Sequence, residues 1–197
     1  MQPTIAFFDF DGTITTKDTL LEFIKFSKGR FRFYAGFLLN SPWLIAYRLG
    51  VISNQAAKER ILTWFFGGCP LPLFQEQCES FAAGITPGLI RPKALKEIAL
   101  LQEKGADIVI VSASPENWLQ PWTQSLSIKL IATRLEIRDN ALTGKILHRN
   151  CHGEEKCARI RESYSLSEYT DIYAYGDTSG DKPMLKLATM AFYKPFR

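Results

Sequence analysis

An apolar run ending in Phe7-Phe8-Asp9-Phe10-Asp11-Gly12-Thr13 limits this chain more than any other stretch. Thr4–Phe8 is short, apolar and closed by an acid and a glycine, which predicts a buried parallel strand. Successive side chains on a strand point to opposite faces. Asp9 and Asp11, two residues apart, would share one face of a continuing strand. The glycine that follows predicts that the chain leaves the strand at Phe10–Gly12 and carries both carboxylates to one centre. Open α/β sheets bind ligands outside the carboxyl ends of their strands, and this turn delivers two carboxylates there.

The remainder alternates as such a sheet requires, with one interruption. Asp18 reads as a helix N-cap before Leu20, Leu21, Phe23 and Ile24. Residues 18–85 then read as almost wholly helical, punctuated by Asn40-Ser41-Pro42, Gly67-Gly68, Pro70 and Pro72. A helix over Pro92–Glu103 ends at Gly105, and Asp107–Val111 is a second strand. Ser114 is placed to cap the next helix, with Pro115 at its first position. Lys129–Ala132 is a third strand. Arg134–Ile137 and Lys145–His148 flank Asp139-Asn140-Ala141 as a β-hairpin. A helix from about Glu154 to Tyr164, a strand at Asp171–Tyr175, a short helix at Lys182–Leu187 and a strand at Met190–Tyr193 complete the pattern. This predicts an α/β fold, a doubly wound, Rossmann-like parallel sheet with right-handed crossovers and a small β-hairpin. The helical block is too long for a connection. The expected division is a core of residues 1–17 and 86–197, with a helical cap of 18–85 over the sheet's carboxyl edge.

The 197 residues, 46% hydrophobic and 22% charged, suit one globular α/β domain with an insertion. The net charge of +4 suits an anionic substrate or a membrane surface. No long basic helix or aromatic-plus-basic repeat suggests a nucleic-acid partner. Cys69, Cys78, Cys151 and Cys157 have no framework spacing and read as reduced thiols of a cytoplasmic protein. His148, Cys151, His152 and Cys157 lack the paired C-x-x-C of a zinc knuckle. The first strand follows Met1 so closely that no cleaved leader is expected.

Four features fall at strand ends or at a helix start: Asp9 with Asp11, Ser112, Lys156, and Asp177 with Asp181 in Gly176-Asp177-Thr178-Ser179-Gly180-Asp181. In a doubly wound sheet these positions converge. The set suits phosphoryl transfer. One carboxylate can attack phosphorus, and a second can protonate the leaving oxygen and then activate water. Clustered carboxylates call for a hard cation such as Mg²⁺, while the lysine and hydroxyl orient phosphoryl oxygens.

With these motifs in order, the chain resembles the haloacid dehalogenase superfamily of phosphatases over nearly its whole length. The motifs are D-F-D-G-T (9–13), I-V-I-V-S (108–112), G-E-E-K (153–156) and G-D-T-S-G-D (176–181). The resemblance implies Asp9 as nucleophile and metal ligand, and Asp11 as general acid/base with its carbonyl on Mg²⁺. It implies Ser112 and Lys156 as phosphate-binding, Asp177 as metal ligand and Asp181 as its support. The helical block looks like the cap of the phosphoserine-phosphatase-like branch (subfamily IB). S-A-S-P (112–115), L-I-A-T (130–133) and C-H-G-E-E-K (151–156) look most like the phosphatidylglycerophosphatase C-like and related uncharacterised hydrolases.

The expected reaction is Mg²⁺-dependent hydrolysis of a phosphomonoester, on a phosphorylated lipid head group or a small metabolite. Phosphoserine hydrolysis and phosphotransfer on the same scaffold are the alternatives. Asp18 stands where phosphoserine phosphatases carry a glutamate facing the substrate amine, and also reads as a plain N-cap. Arg60 could meet a substrate carboxylate or second phosphate, or lie on the surface. Residues 31–48 are unusually apolar with Arg30, Arg32 and Arg48 on their flanks. They read either as cap core or as an interfacial element at the inner face of a membrane. A monomer or homodimer is expected.

Overall fold

The computed structural model describes residues 3–197. Strand β1 (Thr4–Phe8) lies near the middle of a six-stranded sheet, between β2 (Asp107–Pro115) and β5 (Asp171–Gly176), both parallel to it. Beyond β2 runs β3 (Lys129–Arg138), and beyond β5 runs β6 (Met190–Tyr193), again in parallel. β4 (Ala141–Leu147) closes one edge antiparallel to β3, so the order is β4-β3-β2-β1-β5-β6. Helices α6 (Pro92–Glu103), α7 (Glu116–Ser125), α8 (Glu154–Ser163) and α9 (Lys182–Leu185) lead into β2, β3, β5 and β6. The fold is mixed α/β and Rossmann-like, as the alternation predicts.

β1 is apolar throughout because both its faces are covered. Ala6 and Phe8 join one apolar cluster, while Ile5 and Phe7 join the other, with Val109, Val111 and Ile172. The period of two thus divides one strand between two cores. Cys151 and Cys157 are buried in the second cluster.

Two sequence expectations change. The third strand and the first hairpin arm are one continuous β3, which pairs with β2 over Lys129–Thr133 and with β4 from Arg134 onward. Asp139 (φ 50°) and Asn140 (φ 57°) make the two-residue turn, which needs positive φ at both positions. Second, β2 does not stop at Val111 but continues to Pro115, and α7 begins at Glu116 without a side-chain cap. Ser114 is therefore a strand residue, with its hydroxyl engaged elsewhere.

Between β1 and β2 stand α1 (Thr19–Leu39), α2 (Ser41–Arg48), α3 (Asn54–Phe66), α4 (Leu71–Gly84) and the single turn α5 (Thr86–Leu89). Asp18 does cap α1, accepting from Leu21 N at 3.1 Å, and Ser53 caps α3 by accepting from Ala56 N. Phe23 fastens this block to the sheet domain. Its ring lies 4.7 Å from Trp118 of α7 and 5.3–5.5 Å from Phe66, Phe74 and Phe81. At the far edge α3 rests on β4 at Gly144, where an added Cβ would come within 2.3 Å of Thr63 Cα. Of residues 31–48, Phe33, Gly36 and Asn40 are buried, so the core reading of that segment holds only in part.

Candidate active site

Asp9 N–H donates to Tyr175 O (2.9 Å), the last rung between β1 and β5. The chain then turns through Phe10–Ile14, with Gly12 at φ 81°. Glycine is needed there twice over: the left-handed backbone disfavours a side chain, and a Cβ would lie 2.5 Å from Asp177 Oδ2. This turn holds both acids at the carboxyl end of β1. Asp9 and Asp11 both line one cleft, with Lys156 and Asp181.

Asp9, Asp177 and Asp181 are buried, and a carboxylate oxygen from each lies within 4.8 Å of the others. Lys156, also buried, donates to Asp9 Oδ1 (2.6 Å) and Asp181 Oδ1 (2.7 Å). Thr13 Oγ1 lies 3.0 Å from Asp9 Oδ2 and 3.3 Å from Asp177 Oδ1. Asp181 Oδ2 accepts from Asp177 N, Thr178 N and Thr178 Oγ1, which closes the Gly176–Asp181 loop around it. Lys156 occupies the first turn of α8, where a helix dipole disfavours a cation. The two carboxylates outweigh this.

Burial pushes the Asp9 carboxyl up to about 7 against the pull of Lys156, and burial followed by Asp181 raises Asp177. Burial would raise Asp181 as well, but Lys156 holds it below the usual carboxylate range. Burial would lower Lys156, yet Asp9 and Asp181 keep its ammonium charged above its ordinary value.

Asp11 is held separately. Oδ1 accepts from Thr19 N and Thr19 Oγ1 (both 2.6 Å), at the N-terminus of α1 where negative charge is favoured. Oδ2 accepts from Ser114 Oγ (2.6 Å). Trp118 Nε1 donates to Thr19 Oγ1 from behind (3.2 Å). Ser114, expected as a helix cap, is thus an Asp11 partner, because a hydroxyl-to-carboxylate bond is stronger than one to a neutral amide. Ser112 is fully buried, and its Oγ accepts from Ser114 N (3.0 Å). The Asp11 carboxylate stands apart from the acidic triad, whose third carboxylate is Asp181. Ser114→Ala should lower kcat/KM for a phosphomonoester by roughly ten- to a hundredfold, the value of a hydrogen bond to a charged group (about 1.5–3 kcal/mol). Steady-state phosphate release measures it, and unchanged activity would mean that Thr19 alone positions Asp11.

The cleft over these groups has a volume of about 370 Å³ and is also lined by Asp18, Tyr47 and Lys58. Lys58, not singled out in the sequence, donates to Ala113 O (3.0 Å) and Asn150 Oδ1 (3.3 Å). Burial lowers its ammonium against the opposing pull of Asp11 and Asp18. Desolvation and then the Asp11 carboxylate hold Asp18 above the usual carboxylate range. Arg60 lies away from the cleft: its Nε donates to Asn40 Oδ1 (2.9 Å) and its guanidinium stacks on Trp43.

The donor set fits a hard divalent cation. The triad offers oxygen ligands alone, its acids outnumber the one buried ammonium, and two of them are pushed toward protonation, first by burial and then by the neighbouring Asp181. Arg197 places its guanidinium on Asp177 Oδ2, answering the same need for positive charge.

The fold and the sequence have counterparts. Residues 6–186 match the model of the haloacid dehalogenase-like hydrolase family, and the chain belongs to that family. It is 35% identical over 202 residues to Protein CicA of Caulobacter vibrioides, covering 100% of this chain and 88% of that protein. It is 31% identical over 189 residues to Probable phosphatase Rv3661 of Mycobacterium tuberculosis, covering 93% of this chain and 66% of that one. The fold also matches a phosphoserine phosphatase structure described as a phospho-aspartyl intermediate analogue. The TM-score is 0.60 at 18% identity, over 95% of this chain and 84% of that one.

Proposed function

We propose that this hydrolase is a Mg²⁺-dependent phosphomonoesterase working through an aspartyl-phosphate on Asp9. The observation that carries the reading is the buried Asp9 carboxylate, 2.6 Å from the Lys156 ammonium, beside two further buried acids and a separately held Asp11. A carboxylate placed against a fixed cation is set to receive a phosphoryl group whose charge the cation shares.

In this scheme an Asp9 oxygen attacks phosphorus in line, and the bond to the leaving alcohol breaks. Asp11, acting as general acid, gives a proton to the departing alkoxide. As carboxylate, Asp11 then takes a proton from a water that attacks phosphorus, freeing Asp9 and inorganic phosphate. Lys156 holds phosphoryl oxygens in both steps, and Ser112, whose buried hydroxyl lies outside the cleft lining, is given the same role by its motif position. Asp9, Asp177 and the Asp11 main chain would hold Mg²⁺, with Asp181 in support. The ion supplies charge neutralisation that lets two anions meet.

Residues 18–85 act as the cap. They bring Asp18 and Lys58 over the cleft, one acid and one base to face the leaving group. Substrates are phosphate monoesters on a small metabolite or on a lipid head group. The Mycobacterium tuberculosis relative carries the name of a probable phosphatase, which agrees in reaction class.

The test is phosphate release with Mg²⁺ from a panel of phosphomonoesters, run beside phosphatidylglycerophosphate in detergent micelles. Release that stops on chelation and returns with Mg²⁺ is expected. Release unaffected by chelation would overturn the metal assignment, and silence across the panel would overturn the substrate class.

A further inference from the structure

Helix α2 (Ser41–Arg48) is rich in apolar residues, Trp43, Leu44, Ile45, Ala46 and Tyr47, yet buries none of its residues. The half of α1 before it exposes Phe31 (86%), Tyr34 and Leu38 (74%), spaced to fall on one helical face. The buried Phe33, Gly36 and Asn40 take the other side. After α2, Leu49 (73%) and Val51 are also exposed. Between α1 and α3 an open groove of about 330 Å³ is lined by Phe31, Leu39, Trp64 and Phe65, with Lys28 and Arg32 at its edge. Folded chains seldom leave so much contiguous apolar surface in water without a partner for it.

Charge identifies the partner. From residue 23 to residue 58 the chain holds six of its 24 cations and none of its 20 acids, so the rest of the chain is net acidic. Lys28, Arg30, Arg32 and Arg48 have no carboxylate partner among the described residues. Exposed aromatic and aliphatic side chains interleaved with cations that have no carboxylate partner complement an anionic bilayer, whose acyl boundary takes the first and whose phosphates take the second. No helix among the described residues is long and apolar enough to cross a membrane, so contact would lie in the interfacial plane. Tyr47 of α2 also lines the catalytic cleft, so the apolar face continues into the site.

We propose that the second half of α1, α2 and the adjoining groove form a docking surface for an anionic lipid bilayer. The surface binds lipid whether or not the cleft is catalytically active. It therefore goes beyond the hydrolase reading and would place the cleft beside phosphorylated head groups.

The test is co-sedimentation of Asp9→Asn protein, which cannot turn over lipid, with two kinds of vesicle. One is pure phosphatidylcholine, and the other has a quarter of it replaced by phosphatidylglycerol. Binding should favour the anionic vesicles by at least about tenfold and weaken with added salt. Each of Arg30→Gln, Arg32→Gln and Arg48→Gln should reduce it by about fivefold. The double variant Phe31→Ser/Leu38→Ser should lose most binding while its thermal midpoint holds. With Asp9 restored, that variant should hydrolyse a soluble phosphomonoester as before. Equal binding to both vesicles, or binding that survives the double variant, would overturn the proposal. So would concentration-dependent dimerisation abolished by the double variant, since a second copy of the chain would then cover the face.

Discussion

Asp9→Asn should abolish phosphate release and, in the metal-free protein, raise stability above neutral pH. Asparagine has the shape of aspartate but no anionic oxygen to attack phosphorus, so a loss on the order of 10⁴-fold or more is expected. Stability moves the other way because of where the charge sits. Asp9 and Asp181 share Lys156, with Asp177 close by, so the buried site carries more negative than positive charge. Burial raises the Asp9 carboxyl from 3.8 to about 7. A group whose folded-state pKa is raised stabilises the fold below its unfolded value and loses that contribution as pH rises through the folded one. Wild-type protein in chelator should therefore weaken between about pH 4 and 7, by up to about 1.4 kcal/mol per pH unit from this group. The asparagine variant should lack that slope, since Lys156 keeps Asp181 and Thr13 keeps an oxygen acceptor at position 9. Urea unfolding at pH 5 and pH 8 measures the difference. Turnover that survives would remove Asp9 as nucleophile. An unchanged slope would mean that Lys156 already holds Asp9 ionised at pH 5.

The sequence discloses the site's acids and lysine because their placement follows from topology. An apolar strand ended by acid and glycine has few ways to continue, and parallel strands bring their carboxyl ends together wherever the helices lie. Asp9, Asp11, Lys156 and Asp181 meet for that reason, at distances no spacing could supply. Ser114 reads as a cap in the sequence because capping a helix and binding a carboxylate use the same hydroxyl. The choice depends on Asp11, 103 residues earlier in the chain. Lys58 and Arg60 show a different limit. Two residues apart on α3, they point to nearly opposite sides of the helix. Which one enters the cleft depends on how α3 is rotated, and that is fixed by its seat on Gly144 and on the aromatic cluster. β3 reads as two strands in the sequence because its pairing changes from parallel to antiparallel at Arg134, while its backbone runs on unbroken. In residues 31–48 composition could not separate core from surface. The same aromatic and aliphatic types serve both, and only packing assigns Phe33 inward and Phe31 outward.

Lys156→Met should cost both activity and fold stability, the second by about 3–5 kcal/mol, the usual penalty for removing one partner of a buried ion pair. Methionine fills much the same space, so the loss is electrical: Asp9 and Asp181 would face each other in a buried site with no cation between them. The pH dependence distinguishes this from a packing defect. In the wild type, Lys156 is charged at every pH below its ordinary value of 10.5, so its contribution is fully present at neutrality. Asp181, held low by Lys156, stabilises the fold above its unfolded value of 3.8 and loses that contribution as pH falls. Without the lysine, only the Thr178 hydrogen bonds oppose the burial of Asp181, and burial of Asp9 goes unopposed by any cation, so stability falls as pH rises. The gap between wild type and variant should thus be widest at neutral pH and narrow on acidification, where protonation removes the repulsion. Mg²⁺ should raise the thermal midpoint of the variant more than that of the wild type, because it restores positive charge beside the same oxygens. Lys156→Arg should rescue little, since a planar fork does not fit where one ammonium bridges two carboxylates at 2.6 and 2.7 Å. A gap independent of pH and of Mg²⁺ would mean that Lys156 acts by filling space, and its role on the phosphoryl group would fall with it.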